Sequence, residues 1–415
     1  MNALGLNRIK WDKTHEYLLT TCAFLMPLQL RALTFALVAL FVCVVVMRLL
    51  KFSTDSAQGL RLAVFFPFAF FSAFLFLGWF EQPQNIEVFK EIETKAPFFF
   101  LPVIFFLLPK LSFQSRSQIF RAFTAGTIVF VVISILHAIT RWLTGDGVGV
   151  FFYQKLSWTF HPSYLAVYCC LAIGAVYYEL STSNRSFFYK NVLLGMVFLL
   201  AVYVAFLSSK SGFLSLFLTF FILLYYTWRR QLRMKNFWFF TFLIGLGFGI
   251  PFFTIGQING RVAAAVTDVN SQQVTDKKAS TAMRFVTWQA SLNVVKQNPL
   301  GVGTGNWKMA LRKEYSAMNE HEAAQKPLPS HNAFLQIAVE WGYIGLFLLV
   351  GLVILNLYYA FKSKGLFFWL FSVLMPFNFL FESMLELQQG IVLFTFVTLL
   401  LGFRKYSQGF PSEMA

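Results

Sequence analysis

The sequence predicts an all-α integral membrane protein. Of its 415 residues, 57% are hydrophobic and only 13% are charged, whereas soluble domains carry about 25% charged residues. The apolar residues also gather in stretches that can cross a bilayer as helices, since a hydrocarbon core of about 30 Å needs roughly 20 helical residues. Composition and stretch length together place the chain in the membrane class.

Twelve apolar stretches are candidate transmembrane helices. They cover residues 16–30, 31–50, 60–80, 97–110, 119–141, 164–180, 191–208, 212–228, 237–256, 333–361, 366–381 and 388–403. The first, fourth and eleventh are short and contain or adjoin Pro27, Pro102 and Pro376, so we expect them to be tilted, kinked or partly re-entrant. The fold class is therefore an all-α membrane protein with about twelve spans.

The positions of the charged residues predict the orientation of these spans. With the N-terminus inside, the cytoplasmic segments hold nineteen basic and five acidic residues, while the rest of the chain holds fifteen and thirteen. Lys and Arg accumulate in the cytoplasmic loops of membrane proteins, so both termini are predicted to be cytoplasmic and the first helix to be uncleaved. The same rule explains the net charge of +16 without nucleic acid as a partner.

The polar segment 257–332 is the largest part of the chain outside the predicted spans. Segments of this length are uncommon as connectors and often carry function. We therefore divide the chain into spans one to nine (1–256), an outer-face loop (257–332), and spans ten to twelve with a short tail (333–415).

Within this loop, residues 281–297 have the pattern of an amphipathic helix. Apolar residues recur at intervals of three and four, at Phe285, Trp288, Leu292 and Val295. We expect this helix to lie on the membrane surface with its apolar side down and Arg284 toward an approaching ligand.

His331 stands where the loop ends and the tenth predicted span begins. Ser330 and Asn332 on either side are residue types that cap helix N-termini. His331 is therefore expected beside backbone N–H groups that attract anions. Histidine is the side chain most often used for proton transfer near neutral pH, although a capping or hydrogen-bonding role is the alternative.

Three cations are candidate ligands for a phosphate group. Lys210 lies in a turn, 208–212, that must divide the 38-residue apolar region 191–228, but a lysine there also suits snorkelling to the interface. Arg284 offers a bidentate phosphate contact or a lipid headgroup contact. Arg261, which follows Gly260, is a further candidate of the same kind.

Supporting roles are expected for Asn332, Glu382, Glu386 and His161. Glu382 and Glu386 are four residues apart, so we expect them on one helical face at the outer end of the eleventh span, paired with Lys210 or Arg284 rather than acting as a base. His161 opens the sixth span much as His331 opens the tenth, either as a cap or in contact with substrate.

Other polar motifs indicate structure rather than chemistry. Residues 301–306, GVGTGN, match neither the dinucleotide nor the Walker spacing, so a tight turn before a short helix is predicted. Glu340 lies about half a turn out of phase with His331 and is expected to hydrogen-bond between helices. The four cysteines all lie in apolar runs, which indicates packing, and no metal site or cofactor is predicted.

Several of these motifs resemble the O-antigen ligase and polymerase superfamily of bacterial membrane glycosyltransferases. The matching residues are Ser330-His-Asn-Ala-Phe-Leu335, Glu340-Trp-Gly-Tyr-Ile-Gly345, Gly301 to Asn306, Arg284 with Trp288, and Glu382, Glu386 and Gly390. The resemblance is specific to motifs between about 205 and 390. Lys210 stands where the family has an intramembrane arginine, which keeps the charge but loses the guanidinium fork.

This resemblance implies a metal-independent, inverting transfer of a glycan from undecaprenyl diphosphate to an acceptor hydroxyl. His331 would be the base or acceptor-orienting residue, and Arg284, Lys210 and Arg261 would bind diphosphate. The implied location is the bacterial inner membrane with a periplasmic active site. Lipid A-core is the expected acceptor. A polysaccharide chain or a protein hydroxyl remains open, as does a polyisoprenoid-glycan transporter without covalent chemistry.

Overall fold

The computed structural model describes most of the chain in eight segments. These are residues 13–28, 31–50, 62–81, 84–109, 113–182, 186–229, 280–363 and 365–402, with the single positions 111, 238, 241, 242 and 245. Most of the ninth predicted span, the first part of the loop and Arg261 lie outside the described residues.

Helices and short turns make up the first half of the described chain. In order, the helices are α1 (Thr14–Leu25), α2 (Arg31–Leu49), α3 (Leu62–Glu81), α4 (Ile86–Lys95), α5 (Pro97–Leu107), α6 (Phe113–Leu143), α7 (Tyr153–Ser157), α8 (Pro162–Thr182), α9 (Phe187–Phe206) and α10 (Lys210–Arg229).

The second half contains the remaining six helices of the described chain. They are α11 (Ser280–Gln297), α12 (Trp307–Ala317), α13 (His321–Gln325), α14 (Ala333–Ser363), α15 (Leu366–Phe379) and α16 (Gln388–Leu401), and a single 3₁₀ turn, Met384–Glu386, joins the last two. The described part of the chain contains no strand, which confirms the all-α fold class.

Each predicted span that falls on described residues corresponds to a helix. Seven of these helices, α2, α3, α6, α8, α9, α10 and α14, are long and apolar enough to cross a membrane. Helices α15 and α16 are apolar but only 14 residues long. The chain is a multi-pass membrane protein, and the number twelve stays a prediction because the ninth span is not described.

Helix α8 lies at the centre of the bundle. Its residues from Leu165 to Ile173 are completely buried, and it packs against α6, α9, α10 and α15. The central position of α8 brings its N-terminal residues, including Ser163, beneath the turn that follows α15.

Helix α14 is broken after its second turn, which the sequence analysis did not predict. Trp341 has φ −121° and ψ 16°, and Gly342 has φ 63° and ψ −161°, a conformation that favours glycine. The predicted span over 333–361 therefore consists of two helical segments. The helical segment after the break, 343–363, is long enough to cross a bilayer without the segment before it.

The GVGTGN turn fills this break in α14. The amides of Val302 and Gly303 donate to the carbonyls of Val339 and Glu340 at 2.9 and 3.0 Å, and Tyr343 N donates to Pro299 O at 3.0 Å. The turn supplies the hydrogen bonds that the broken helix cannot make for itself. This arrangement confirms that the motif forms a turn before a short helix, α12.

The loop helices α11, α12 and α13 pack against the first part of α14. Their shared core contains Ala290, Val294, Leu311, Tyr315, Ala323, Ala338 and Val339. Small side chains of α11 make this contact, whereas Phe285 and Leu292 are 60% and 42% exposed. Val295 of the same predicted stripe is buried, so the stripe does not form a single face.

Candidate functional site

Glu382 lies in the turn after α15 and connects three separate segments of the chain. Its Oε1 accepts hydrogen bonds from Arg284 Nη2 of α11 at 2.9 Å and from Ser163 Oγ of α8 at 3.0 Å. Its Oε2 lies 3.8 Å from His331 Nδ1, a charge contact rather than a hydrogen bond. We call Ser163, Arg284, His331 and Glu382 the Glu382 cluster.

The surroundings of Glu382 favour its carboxylate form. Burial by itself would raise the pKa of this side chain, but His331, His161 and Arg284 hold the pKa below its usual value. The side chains of His331 and Arg284 are 30% and 18% exposed, while that of Glu382 is 6% exposed. The cluster therefore presents His331 and Arg284 outward and keeps its anion covered.

His331 occupies a strained backbone position immediately before α14. Its φ is 47°, a left-handed conformation that costs a residue other than glycine or asparagine about 1 kcal/mol or more. The next residue, Asn332, caps the helix by accepting from Leu335 N at 3.0 Å, and its amide donates to Leu380 O at 3.2 Å. Asn332 thus joins the start of α14 to the end of α15.

His161 precedes α8 and lies beside the same cluster. Its Nδ1 is buried and has no hydrogen-bond partner among the described residues, and its ring lies 4.9 Å from that of Tyr164. Burial lowers the pKa of His161, Glu382 acts in the opposite direction, and His331 and Arg284 reinforce the decrease. A neutral imidazole is therefore favoured at this position.

Lys210 begins α10 next to a residue of the same network. Helix α9 ends at Phe206, so the turn consists of Leu207 to Ser209 and not of residues 208–212 as predicted. Ser209 Oγ lies 2.8 Å from Ser163 Oγ, which in turn reaches Glu382. The structure brings the backbone of Lys210 close to the Glu382 cluster.

Glu386 does not share a helical face with Glu382, so that prediction is wrong. Helix α15 ends at Phe379, and Glu386 lies in the 3₁₀ turn Met384–Glu386. A four-residue spacing aligns side chains only where a helix is continuous. Glu382 faces Arg284, the partner that the sequence analysis considered, whereas Glu386 points to Lys95.

Lys95, the last residue of α4, is completely buried among three carboxylates. Its Nζ lies 2.5 Å from Glu340 Oε2, 2.9 Å from Glu386 Oε1 and 3.2 Å from Glu91 Oε2. Glu91 also accepts a hydrogen bond from Trp307 Nε1 at 2.9 Å. We call Glu91, Lys95, Glu340 and Glu386 the Lys95 cluster.

The crowding raises the pKa of both Lys95 and Glu386. Burial would lower the pKa of Lys95, but the three carboxylates raise it well above its usual value. Burial and the neighbouring Glu340 raise the pKa of Glu386 well above its usual value, although Lys95 opposes the increase. These directions favour the charged form of Lys95 and the protonated form of Glu386.

The sequence does not predict Lys95 or Ser163 as parts of these clusters, nor an ionic role for Glu340. The local sequence of α4, with charges at Glu87, Lys90, Glu91 and Glu93, is typical of a solvated helix. One signal was present: Glu91 and Lys95 are spaced for an ion pair and Lys95 directly precedes an apolar stretch. Among the described residues, no group of three or more His, Cys, Asp or Glu side chains is arranged to hold a metal ion.

Comparison with known proteins identifies one family. Residues 195–350 match the family model described as O-Antigen ligase. The matched region contains Lys210, Arg284, His331 and Glu340, whereas Lys95, Glu382 and Glu386 lie outside it. No curated protein gives a significant match to the chain.

Proposed function

We propose that this chain, whose residues 195–350 match the family model described as O-Antigen ligase, transfers a glycan from undecaprenyl diphosphate to an acceptor hydroxyl, with lipid A-core as the acceptor. One observation carries the assignment of the site. Arg284 and His331 meet at the buried carboxylate of Glu382 and both remain partly exposed. A cation and an imidazole beside one another suit an anionic leaving group and a hydroxyl nucleophile.

The proposed reaction is a single displacement at the anomeric carbon. The acceptor oxygen attacks this carbon, the bond from the carbon to the diphosphate oxygen breaks, and the acceptor proton passes to His331. A positioned general base typically contributes about 10² to 10⁴ in rate. Attack opposite the leaving group inverts the anomeric configuration.

Negative charge grows on the diphosphate as the glycosidic bond breaks. A nearby cation therefore stabilises the transition state more than the ground state. The ion pair of Arg284 with Glu382 uses Nη2, and an arginine has five N–H donors, so Arg284 is suited to bind a phosphate oxygen at the same time. Lys210 and Arg261 are proposed as further diphosphate ligands.

Glu382 is proposed to orient His331 rather than to act as a base. It is buried and already accepts two hydrogen bonds, and its negative charge favours the imidazolium that forms when His331 takes a proton. We place the site on the periplasmic side of the bacterial inner membrane, with both termini in the cytoplasm.

A reconstituted assay tests this proposal. The purified protein is mixed in liposomes with an undecaprenyl diphosphate-linked glycan and, in separate reactions, with lipid A-core, a polysaccharide acceptor or a protein acceptor. We expect a covalent glycan product with lipid A-core and release of undecaprenyl diphosphate. A product only with one of the other acceptors would replace the ligase by a polymerase or protein transferase, and movement of the donor across the liposome membrane without any product would replace the enzyme by a transporter.

A further inference from the structure

The turn that carries His331 is held by the residue before it. Ser330 is completely buried, and its carbonyl accepts from Thr287 Oγ1 at 3.2 Å while its hydroxyl accepts from Ser291 Oγ at 2.8 Å. A left-handed residue such as His331 persists only where its surroundings fix the backbone. These contacts with α11 are one part of that restraint.

Gln336 supplies the other part of the restraint. Its Oε1 accepts from both the amide and the hydroxyl of Ser330 at 2.9 Å. Its Nε2 donates to Glu340 Oε1 at 3.1 Å. All three side chains are buried, so the orientation of Gln336, and with it the Ser330 amide, depends on Glu340.

Glu340 is in turn fixed by Lys95. The second carboxylate oxygen of Glu340 contacts Lys95 Nζ at 2.5 Å, and this lysine also holds Glu91 of its own helix and Glu386 of the turn before α16. A continuous series of buried polar contacts therefore runs from Lys95 through Glu340 and Gln336 to Ser330, the neighbour of His331.

We propose that Lys95 is a positioning residue for the transfer reaction, because it holds Glu340 and Gln336 in the arrangement that fixes the Ser330–His331 turn. Lys95 does not touch substrate in this proposal. It rests on the proposed function of His331, and it adds a determinant from the first third of the chain, outside the region that matches the family.

The charge balance of the Lys95 cluster keeps the Lys95 ammonium group in one place. A single ammonium group shared by three carboxyl groups cannot leave the cluster without exposing buried negative charge, which is strongly unfavourable. The Nζ atom also lies 5.6 Å from the ring centre of Trp341, at the break in α14. Lys95 is thus held beside the break, at one end of the series of contacts that reaches the Ser330–His331 turn.

The test compares three variants by steady-state kinetics in the reconstituted assay, with activity expressed per mole of folded protein. Lys95→Met removes the ammonium group, Gln336→Leu interrupts the series while leaving the Lys95 cluster in place, and the third variant combines both changes. Lys90→Met is the matched control, because Lys90 lies on the same helix but its side chain is 61% exposed.

We expect Lys95→Met and Gln336→Leu each to reduce kcat about 10- to 100-fold, the size expected for a misplaced catalytic group, with KM for the donor changed less than about 2-fold. The combined variant should be no slower than the slower single variant, since both act through one series of contacts. Lys90→Met should keep the wild-type kcat. If Lys95→Met does not fold, Lys95→Met with Glu340→Gln takes its place.

An unchanged kcat in the folded Lys95 variant, or a combined variant whose losses multiply, would overturn the proposal. His331→Asn in the same assay separates this failure from failure of the proposed function. If His331→Asn is inactive while the Lys95 and Gln336 variants are normal, only the positioning role is wrong. If His331→Asn transfers glycan at the wild-type rate, the proposed function of His331 is wrong as well.

Discussion

The Glu382 cluster and the Lys95 cluster combine basic side chains and carboxyl groups in opposite proportions. One carboxylate faces Arg284, His331 and Ser163 in the first, whereas one lysine faces three carboxyl groups in the second. The first leaves Arg284 and His331 partly exposed, and the second is closed.

This difference separates a site that can accept an anion from a site that holds helices together. An anionic ligand finds exposed donors at Arg284 and His331, but only covered groups at Lys95. The pKa values of Glu382 and of Glu91 in the Lys95 cluster are lowered, whereas that of Glu386 is raised. Burial alone does not predict the state of a carboxyl group, because the number of cations around it decides the sign.

The largest effect on catalysis is expected from replacing His331. His331→Asn should lower kcat by about 10² to 10⁴, the usual contribution of a general base, while the protein stays folded because asparagine tolerates the left-handed backbone. Glycan transfer and thermal unfolding in detergent measure the two properties. Substantial activity in this variant would mean that the open cluster only binds and does not take the acceptor proton.

The largest effect on stability is expected from Lys95. Lys95→Met leaves three buried carboxyl groups without a cation and should cost about 3 to 5 kcal/mol of unfolding free energy. Lys90→Met should cost about 0.5 kcal/mol or less, because exposed ion pairs contribute little. Denaturant unfolding of both variants measures the difference, and equal stabilities would show that the Lys95 cluster is not a structural restraint.

A methyl group added at Gly301 should also disturb the contact between the GVGTGN turn and α14. A Cβ at Gly301 would lie 2.3 Å from Glu340 O, and φ there is 87°, so Gly301→Ala should destabilise the protein by about 1 to 3 kcal/mol. Gly351→Ala later in α14 meets nothing within 4 Å and should be neutral or slightly stabilising. A tolerated Gly301→Ala would contradict the close approach of turn and helix.

The smallest expected effects concern how the stability of the protein depends on pH. The pKa of Glu382 is lowered on folding, so its stabilising contribution exists above the unfolded value of about 4.3 and is lost as the pH falls through the folded pKa. The pKa of Glu386 is raised, so stability declines as the pH rises from about 4.3 toward the folded pKa.

Glu382→Gln and Glu386→Gln should therefore change the pH dependence of unfolding in opposite directions. The first variant should lose less stability than the wild type on acidification, and the second should lack the decline on raising the pH, each by about 1 kcal/mol. Thermal unfolding between about pH 2 and pH 8 measures both, because the Glu382 effect falls below about pH 4.3 and the Glu386 effect above it. The same sign in the two variants would show that the clusters do not differ in the way described.

The sequence predicted the helices well because apolar stretches record the membrane directly. Where the prediction failed, the cause was a contact distant in sequence. The break at Gly342 depends on the turn at Gly301, and the direction of Glu386 depends on Lys95 some 290 residues earlier. Helical periodicity describes neighbours within one helix and contains no information on either partner.

The candidate site was only partly predicted, because some of its contacts join residues that are distant in sequence. Arg284 was singled out as a cation on an amphipathic helix, His331 at a polar-to-apolar boundary, and Glu382 at the outer end of a predicted span. Ser163 and Gln336 carry no such local signal, since a serine near a helix start and a glutamine in an apolar helix occur in many structural settings. The role of Ser163 depends on Glu382 after α15, and that of Gln336 depends on Glu340 and, through it, on Lys95 of α4.

The break in α14 also has a consequence for how the protein is made. The apolar segment after Gly342 spans about 30 Å, so the translocon can insert it as an ordinary hydrophobic helix. The eight residues before the break would then stay at the membrane edge, with the carbonyls of Val339 and Glu340 capped by the turn at 301–303. That turn is synthesised first, so the donors are already outside the ribosome when the carbonyls that need them emerge.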